Sequence, residues 1–143
     1  MKIFTIGFSK KSAEKFFGLL ISNSVNKVLD IRLNNKSQLA GFAKGRDLEY
    51  FLKKIGNIEY EYVPGLAPTK RLFDDYRSKK IEWDEFEFMF KKVLEERNAV
   101  KRLDLQNLDG VCFLCSEDLP AHCHRSIVPE EIRKTIGCEI MHL

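Results

Sequence analysis

Hydrophobic and polar residues follow two different periods along the chain. Short apolar runs at residues 2–7, 25–31 and 111–115 are typical of buried strands. Residues 58–63 alternate apolar and acidic side chains, which predicts an edge strand with one face in water. A last short strand is predicted at residues 138–142.

The segments between these strands carry apolar residues three and four positions apart, which predicts helices. Ser12 is a suitable first cap, while Asn23 and Gly56-Asn57 are typical helix ends. Residues 33–44 lack periodicity and predict a loop. The predicted helices run from residue 11 or 12 to 23, and over 46–55, 69–79, 83–97 and 123 or 124 to 136. The aromatic residues of the third and fourth helices are interpreted as core packing.

Alternating strands and helices predict an α/β layered sandwich, with a mainly parallel central sheet flanked by helices. The 143 residues suffice for a single α/β domain over residues 1–143 and are too few for two separate cores. In such sheets ligands bind beyond the carboxyl ends of the strands. Residues that directly follow a strand are therefore expected to form the site.

Composition narrows the class of protein. With 44% hydrophobic and 31% charged residues, the chain is too apolar to be disordered and too charged for a bilayer. The net charge of +3 does not by itself indicate a polyanion-binding protein. The apolar runs are too short for a secretory signal or a membrane span, so we expect a cytoplasmic protein without membrane contact. Four cysteines are too few for a disulfide scaffold and are expected to be thiols.

The segment 114–125 follows a buried strand and contains thiols, imidazoles, carboxylates and a guanidinium. A helix beginning at Cys123 or His124 would direct its free N–H groups at the same crevice, which favours an anion and lowers the pKa of a nearby thiol. Cys123 is therefore a candidate thiolate, Cys115 an alternative nucleophile, and Glu117 a candidate acid or base.

Other residues at strand ends complete the predicted site. Arg32 and Arg125 are suited to bind an anion, and Asp30 is a second candidate acid or base. The alternative is structural: buried thiols, Arg125 paired with a carboxylate, and His124 capping its helix. The candidate catalytic residues are Asp30, Cys115, Glu117, Cys123 and His124, and the candidate ligand-binding residues are Thr5, Gly7, Ser9, Arg32 and Arg125.

A metal site is not expected from strand geometry. Cys112 and Cys115 lie three residues apart on a predicted strand, so they should point to opposite faces of the sheet. A zinc site formed by Cys115, His122 and Cys123 remains an alternative. A phosphatase or rhodanese loop is excluded, because no arginine lies six residues after Cys115 or Cys123.

Four short motifs along the chain form a specific combined pattern: Thr5-Ile6-Gly7-Phe8-Ser9, Asp30-Ile31-Arg32, Cys115-Ser116-Glu117 and Cys123-His124-Arg125. With these motifs the chain resembles one known family, the bacterial and archaeal domain of unknown function 488. The resemblance spans the chain and implies both the α/β fold and a site at the crevice, but no reaction.

Three functions fit these residues. The leading hypothesis is an enzyme acting on a small anionic or nucleotide-like substrate. The sequence does not indicate which cofactor, if any, this enzyme uses. The second is a nucleic-acid-binding module, and the third is a thiol redox or metal-sensing protein that uses Cys115 and Cys123. The second rests on basic and tyrosine residues near the loops: Lys36, Lys44, Arg46, Lys53, Lys54, Lys70, Arg71, Arg77, Lys79, Lys80, Tyr60, Tyr62 and Tyr76.

Overall fold

The structure, a computed structural model, describes residues 1–36, 41–117 and 122–143. These residues form five strands and five α-helices that alternate along most of the chain, with three short 3₁₀ helices between them. The strands are β1 Lys2–Gly7, β2 Lys27–Asp30, β3 Glu59–Tyr62, β4 Val111–Cys115 and β5 Glu139–His142. The helices are α1 Ala13–Ser22, α2 Gly45–Gly56, α3 Lys70–Arg77, α4 Trp83–Glu96 and α5 His124–Ile136.

All five strands are parallel, in the order β3-β2-β4-β1-β5. Gly7 lies opposite Cys115 and Asp30 lies opposite Leu114, so these strand ends meet at one carboxyl edge of the sheet. Thr5 lies two residues before that edge, opposite Phe113. The predicted α/β sandwich is confirmed.

The two faces of the sheet bury separate apolar clusters, because successive side chains of a strand point to opposite sides. Phe4, Ile6 and Cys112 pack with α1 and α2, whereas Ile3 and Phe113 pack with α3, α4 and α5. The predicted opposite orientation of Cys112 and Cys115 is confirmed: Cys115 approaches α5 on the other face.

Most predicted boundaries are confirmed within one or two residues, and β2 is three residues shorter than the predicted strand at 25–31. The Ser12 hydroxyl caps α1 by accepting a hydrogen bond from the Lys15 N–H, and Asn57 ends α2 with a left-handed φ of 51°. Strand β2 begins at Lys27 rather than Val25, because the Val25 N–H donates to the Leu20 carbonyl in the turn that ends α1.

Two predicted segments extend beyond the described part of the chain. The predicted loop at 33–44 contains a 3₁₀ helix at Gly41–Ala43, and its residues 37–40 lie outside the described residues. Residues 118–121 of the segment after β4 lie outside them as well. Among the helices that the structure describes, none is long and apolar enough to cross a membrane.

Candidate active site at the carboxyl edge of the sheet

A cavity of about 340 Å³ lies at the carboxyl edge of the sheet, on the side of α3 and α4. One part of its lining is aromatic, and the other part is polar. The aromatic side chains are Phe73, Tyr76, Trp83 and Phe86, and the polar groups include Arg32, Cys115, Glu117, Cys123 and His124. The edge that parallel α/β sheets commonly use for ligands is thus both recessed and chemically mixed.

The aromatic wall is built by ring contacts between α3 and α4. Trp83 stacks on Phe86 at 5.3 Å between ring centroids, and Tyr76 lies 4.9 Å from Phe86. The ring of His122 stacks on Trp83 at 5.0 Å with an interplanar angle of 28°. These contacts extend a row of rings from the core to the cavity. The wall therefore presents a surface suited to a planar group.

The polar side of the cavity centres on three buried side chains, which we name the thiol–imidazole cluster: Cys115, Cys123 and His124. Cys115 ends β4, Cys123 is the N-cap of α5, and His124 is the first residue of that helix. The Cys115 and Cys123 sulfurs lie 2.9 Å apart, and His124 Nδ1 lies 3.6 Å from the Cys115 sulfur. His124 Nε2 lies 2.7 Å from the Ile31 carbonyl oxygen and donates to it, since that oxygen can only accept.

These contacts set opposite protonation tendencies for the two thiols. Burial raises the pKa of Cys115, but the hydrogen bond from Cys123 and the positive charge of His124 outweigh burial and hold that pKa well below its ordinary value. Donation to Cys115, together with burial, raises the pKa of Cys123. Burial lowers the pKa of His124, yet the Cys115 thiolate outweighs it and the net pKa is raised. The thiol with the lowered pKa is thus Cys115, whereas the sequence argument proposed Cys123 as the thiolate.

A second buried cluster stands behind the cavity and holds one of its arginines. Asp30 accepts hydrogen bonds from Arg32 Nε at 2.8 Å and from Nη2 at 2.7 Å, and from the Tyr60 hydroxyl at 2.6 Å. Burial and the neighbouring Asp30 raise the pKa of Tyr60. Arg32 lines the cavity, and its Nη1 has no hydrogen-bond partner among the described residues. The Phe8 ring lies 5.4 Å from the guanidinium carbon of Arg32.

The structure brings only part of the predicted site to the cavity. Cys115, Glu117, Cys123, His124 and Arg32 line it. Five further predicted residues are not among the described lining residues: Thr5, Gly7, Ser9, Asp30 and Arg125. For them, a direct role towards a ligand stays a prediction.

Close packing explains the positions of several of these five residues. A Cβ atom at Gly7 would lie 1.5 Å from the Glu117 carbonyl oxygen and 2.8 Å from Arg125 Nη1, so glycine is needed there. Arg125 is fully buried. The Ser9 N–H donates to the Ser116 carbonyl, and the Thr5 hydroxyl lies 2.6 Å from His142 Nδ1. Gly7 and Ser9 thereby fix the backbone that carries Cys115 and Glu117.

Sequence reasoning missed the aromatic wall. Phe86 and Phe90 pack in the core as predicted, but Phe86 also lines the cavity, together with Phe73, Tyr76 and Trp83. The signal that pointed to this role was the concentration of rings at the end of α3 and the start of α4, beyond what one apolar stripe requires.

The chain matches the model of one known protein family over most of its length. The model of the family described as "Domain of unknown function DUF488" matches residues 12–132. The chain belongs to the DUF488 family. The resemblance seen in the sequence motifs is confirmed, and the match includes Asp30, Arg32 and the thiol–imidazole cluster of this DUF488 chain. No curated protein and no solved structure matches the chain.

Proposed function

We propose that the protein is an enzyme that acts on a small anionic, nucleotide-like substrate bound in the cavity. The observation that carries this proposal is the lining itself: aromatic rings, an arginine and the thiol–imidazole cluster converge on one space of about 340 Å³. Clefts of this size, largely apolar with a few convergent polar groups, are typical small-molecule sites.

Arg32 is the group that recognises the anion. Two of its three nitrogens are held by Asp30, while Nη1 has no hydrogen-bond partner among the described residues. A buried donor without a partner is costly, and a phosphate or carboxylate oxygen would satisfy it. Asp30 accordingly acts as a positioning residue, which fixes the plane and direction of the guanidinium.

The aromatic wall accounts for the planar part of the substrate. Trp83 and His122 are already stacked, with Tyr76 and Phe86 continuing the row. A heteroaromatic ring gains both apolar burial and stacking against such a surface. Arg77 stands at the rim of the cavity above the Phe73 ring, at 5.4 Å, and adds a second positive charge for an anionic substituent.

The reactive groups are the thiol–imidazole cluster and the exposed Glu117 carboxylate. Both are carried by the turns that follow β4 and open α5, so their relative position is set by the sheet edge. Glu117 is suited to act as general acid or base towards a substrate in the cavity. The cluster is suited to provide the nucleophile.

The same lining argues for a small molecule over a nucleic acid. Of the basic residues that favoured nucleic-acid binding in the sequence, Arg77 is the one found among the described lining residues. A recessed, partly aromatic cavity encloses one nucleotide-sized group, whereas a nucleic-acid site needs an extended charged surface.

A fluorescence titration tests binding, because Trp83 is the single tryptophan of the chain and lines the cavity. We expect adenosine monophosphate to quench its emission in a saturable way. Arg77→Ala should weaken binding, and Arg71→Ala, an exposed arginine on the same helix outside the lining, should not. Emission that does not change, or equal effects of the two substitutions, would overturn the binding site.

Turnover is tested separately. We expect one or more of a panel of nucleotides to be converted to product, followed by chromatography, and we expect Cys115→Ser to remove the conversion. Cys138→Ser is the matched control, since Cys138 lies outside the described lining. Saturable binding of nucleotides without any conversion would show that the protein is a binding module and would contradict the proposed enzyme.

A further inference from the structure

Three side chains of metal-binding type converge in the thiol–imidazole cluster. One ligand atom from each of Cys115, Cys123 and His124 lies within 4.8 Å of the other two, and all three residues are buried. We propose that this cluster binds one zinc ion. This proposal rests on these three residues alone. It does not depend on the substrate proposed above.

The distances between the ligand atoms suit a tetrahedral ion. With Zn–S of about 2.3 Å and Zn–N of about 2.0–2.1 Å, sulfur and nitrogen ligands lie about 3.5 Å apart. His124 Nδ1 lies 3.6 Å from the Cys115 sulfur. The two sulfurs, now 2.9 Å apart, would separate to about 3.8 Å around the ion. The Cys123 sulfur and the His124 nitrogen lie within 4.8 Å of each other and would lie about 3.5 Å apart around the ion. The cluster therefore needs side-chain adjustments on the order of 1 Å.

The orientation of His124 is already that of a metal ligand. Its Nε2–H donates to the Ile31 carbonyl at 2.7 Å, which leaves Nδ1 facing the Cys115 sulfur. Metal-ligating histidines usually donate their other ring N–H to a carbonyl or carboxylate in this way. The Phe90 ring packs edge-on against the imidazole, with centroids 5.9 Å apart. The ring is thus held in place by its surroundings.

Cys112 and His122, a further thiol and imidazole considered as ligands from the sequence, are directed away from the cluster. Cys112 packs with the helices on the opposite face of the sheet, and the His122 ring stacks on Trp83. The strand argument against a zinc site therefore holds for Cys112 only. The alternative set of ligands considered in the sequence contained His122, and in the structure His124 takes that place.

Three protein ligands leave one position of a tetrahedral ion open. All three residues also line the cavity, so the open position faces the space proposed for the substrate. Sites of this kind are typical of catalytic zinc, whereas structural sites are closed by a fourth protein ligand. With zinc bound, Cys115 is a ligand and not the nucleophile that the sequence suggested.

Metal titration of the full chain, reduced and freed of metal by a chelator, tests the proposal. We expect one equivalent of Zn²⁺ to bind, and Co²⁺ to give the charge-transfer absorption of thiolate ligands. Cys115→Ser and Cys123→Ser should each lose this binding, and His124→Gln should weaken it. Cys112→Ala and Cys138→Ser serve as matched controls and should retain it, with circular dichroism to check that every variant is folded.

Two results would overturn the zinc site. One is the absence of stoichiometric binding to the wild-type chain. The other is binding that survives both serine substitutions. If the serine variants fail to fold, the cobalt spectrum of the wild-type chain tests whether thiols bind the metal. A spectrum without thiolate charge transfer contradicts the site. Quenching of Trp83 by adenosine monophosphate without zinc binding refutes only the metal, and zinc binding without quenching refutes only the proposed substrate.

Discussion

Two buried polar clusters meet at the carboxyl edge of the sheet and differ in how their groups are paired. Around Asp30, the carboxylate accepts from the Arg32 backbone N–H, from Arg32 Nε and Nη2, and from the Tyr60 hydroxyl, which in turn accepts from Asn35. The thiol–imidazole cluster instead lines the cavity, and His124 links it to β2 by donating to the Ile31 carbonyl at 2.7 Å.

This difference in hydrogen bonding suits the Asp30 cluster to a structural role and the thiol–imidazole cluster to a chemical one. A carboxylate offers about four acceptor positions, and Asp30 has four donors, so it has little capacity left to take up a proton from a substrate. The thiols and the imidazole retain groups that can react or bind a metal. The cluster around Asp30 therefore rigidifies the edge of the sheet, and under the proposed function the thiol–imidazole cluster supplies the reactive groups.

The largest expected effect on stability comes from removing the Asp30 carboxylate. Asp30→Ala leaves the buried Arg32 charge unpaired and should lower the free energy of unfolding by about 3–5 kcal/mol. Urea denaturation measures this loss. The control is Asp74→Ala, which breaks the exposed pair with Lys70 and should change stability little. Equal stability of the two variants would contradict a supporting role for Asp30.

A smaller effect is expected from the tyrosine of the same cluster. Tyr60→Phe removes one charge-assisted hydrogen bond and should cost about 1.5 kcal/mol, at the low end for such bonds, because Asp30 keeps its contacts with Arg32. Tyr50→Phe is the control, since the Tyr50 ring is exposed. Thermal unfolding of both variants gives the comparison, and an unchanged melting temperature for Tyr60→Phe would show that the cluster is looser than its distances indicate.

The smallest effect on stability is expected at the cavity. Glu117 is exposed, so Glu117→Gln should change the free energy of unfolding by less than about 0.5 kcal/mol. The same substitution should lower the turnover of a nucleotide substrate about 10²-fold or more, as loss of a general acid or base does. Full turnover by the Gln variant would remove Glu117 from the reaction.

Strand and helix periodicity predicted the fold well, because each element buries an apolar stripe that is visible in the chain. Strand β4 was placed at residues 111–115, and α4 within one residue of its end. The late start of β2 at Lys27 was not predictable, because it depends on a hydrogen bond between the Val25 N–H and the Leu20 carbonyl, which keeps Val25 in the turn after α1.

The site was predicted less completely, since spacing along a chain does not tell where a side chain points. Arg125 follows His124 at the start of α5, yet the helix turns it into the interior beside Gly7, whereas His124 faces the cavity. The ligand set of the proposed zinc site likewise depended on which of two histidines near Cys123 turns towards the sulfurs. His122 has a positive φ of 55° and stacks on Trp83, and nothing in the sequence distinguishes it from His124.

Alkylation of the cysteines in the presence of a chelator tests most directly whether the cavity is the substrate site. Cys115 is reached through the cavity, and the partly exposed Cys138 lies outside the described lining. Peptide mass spectrometry should show that adenosine monophosphate slows alkylation of Cys115 in proportion to its occupancy and leaves the rate at Cys138 unchanged. Alkylation of Cys115 at the same rate with and without the nucleotide would contradict the account.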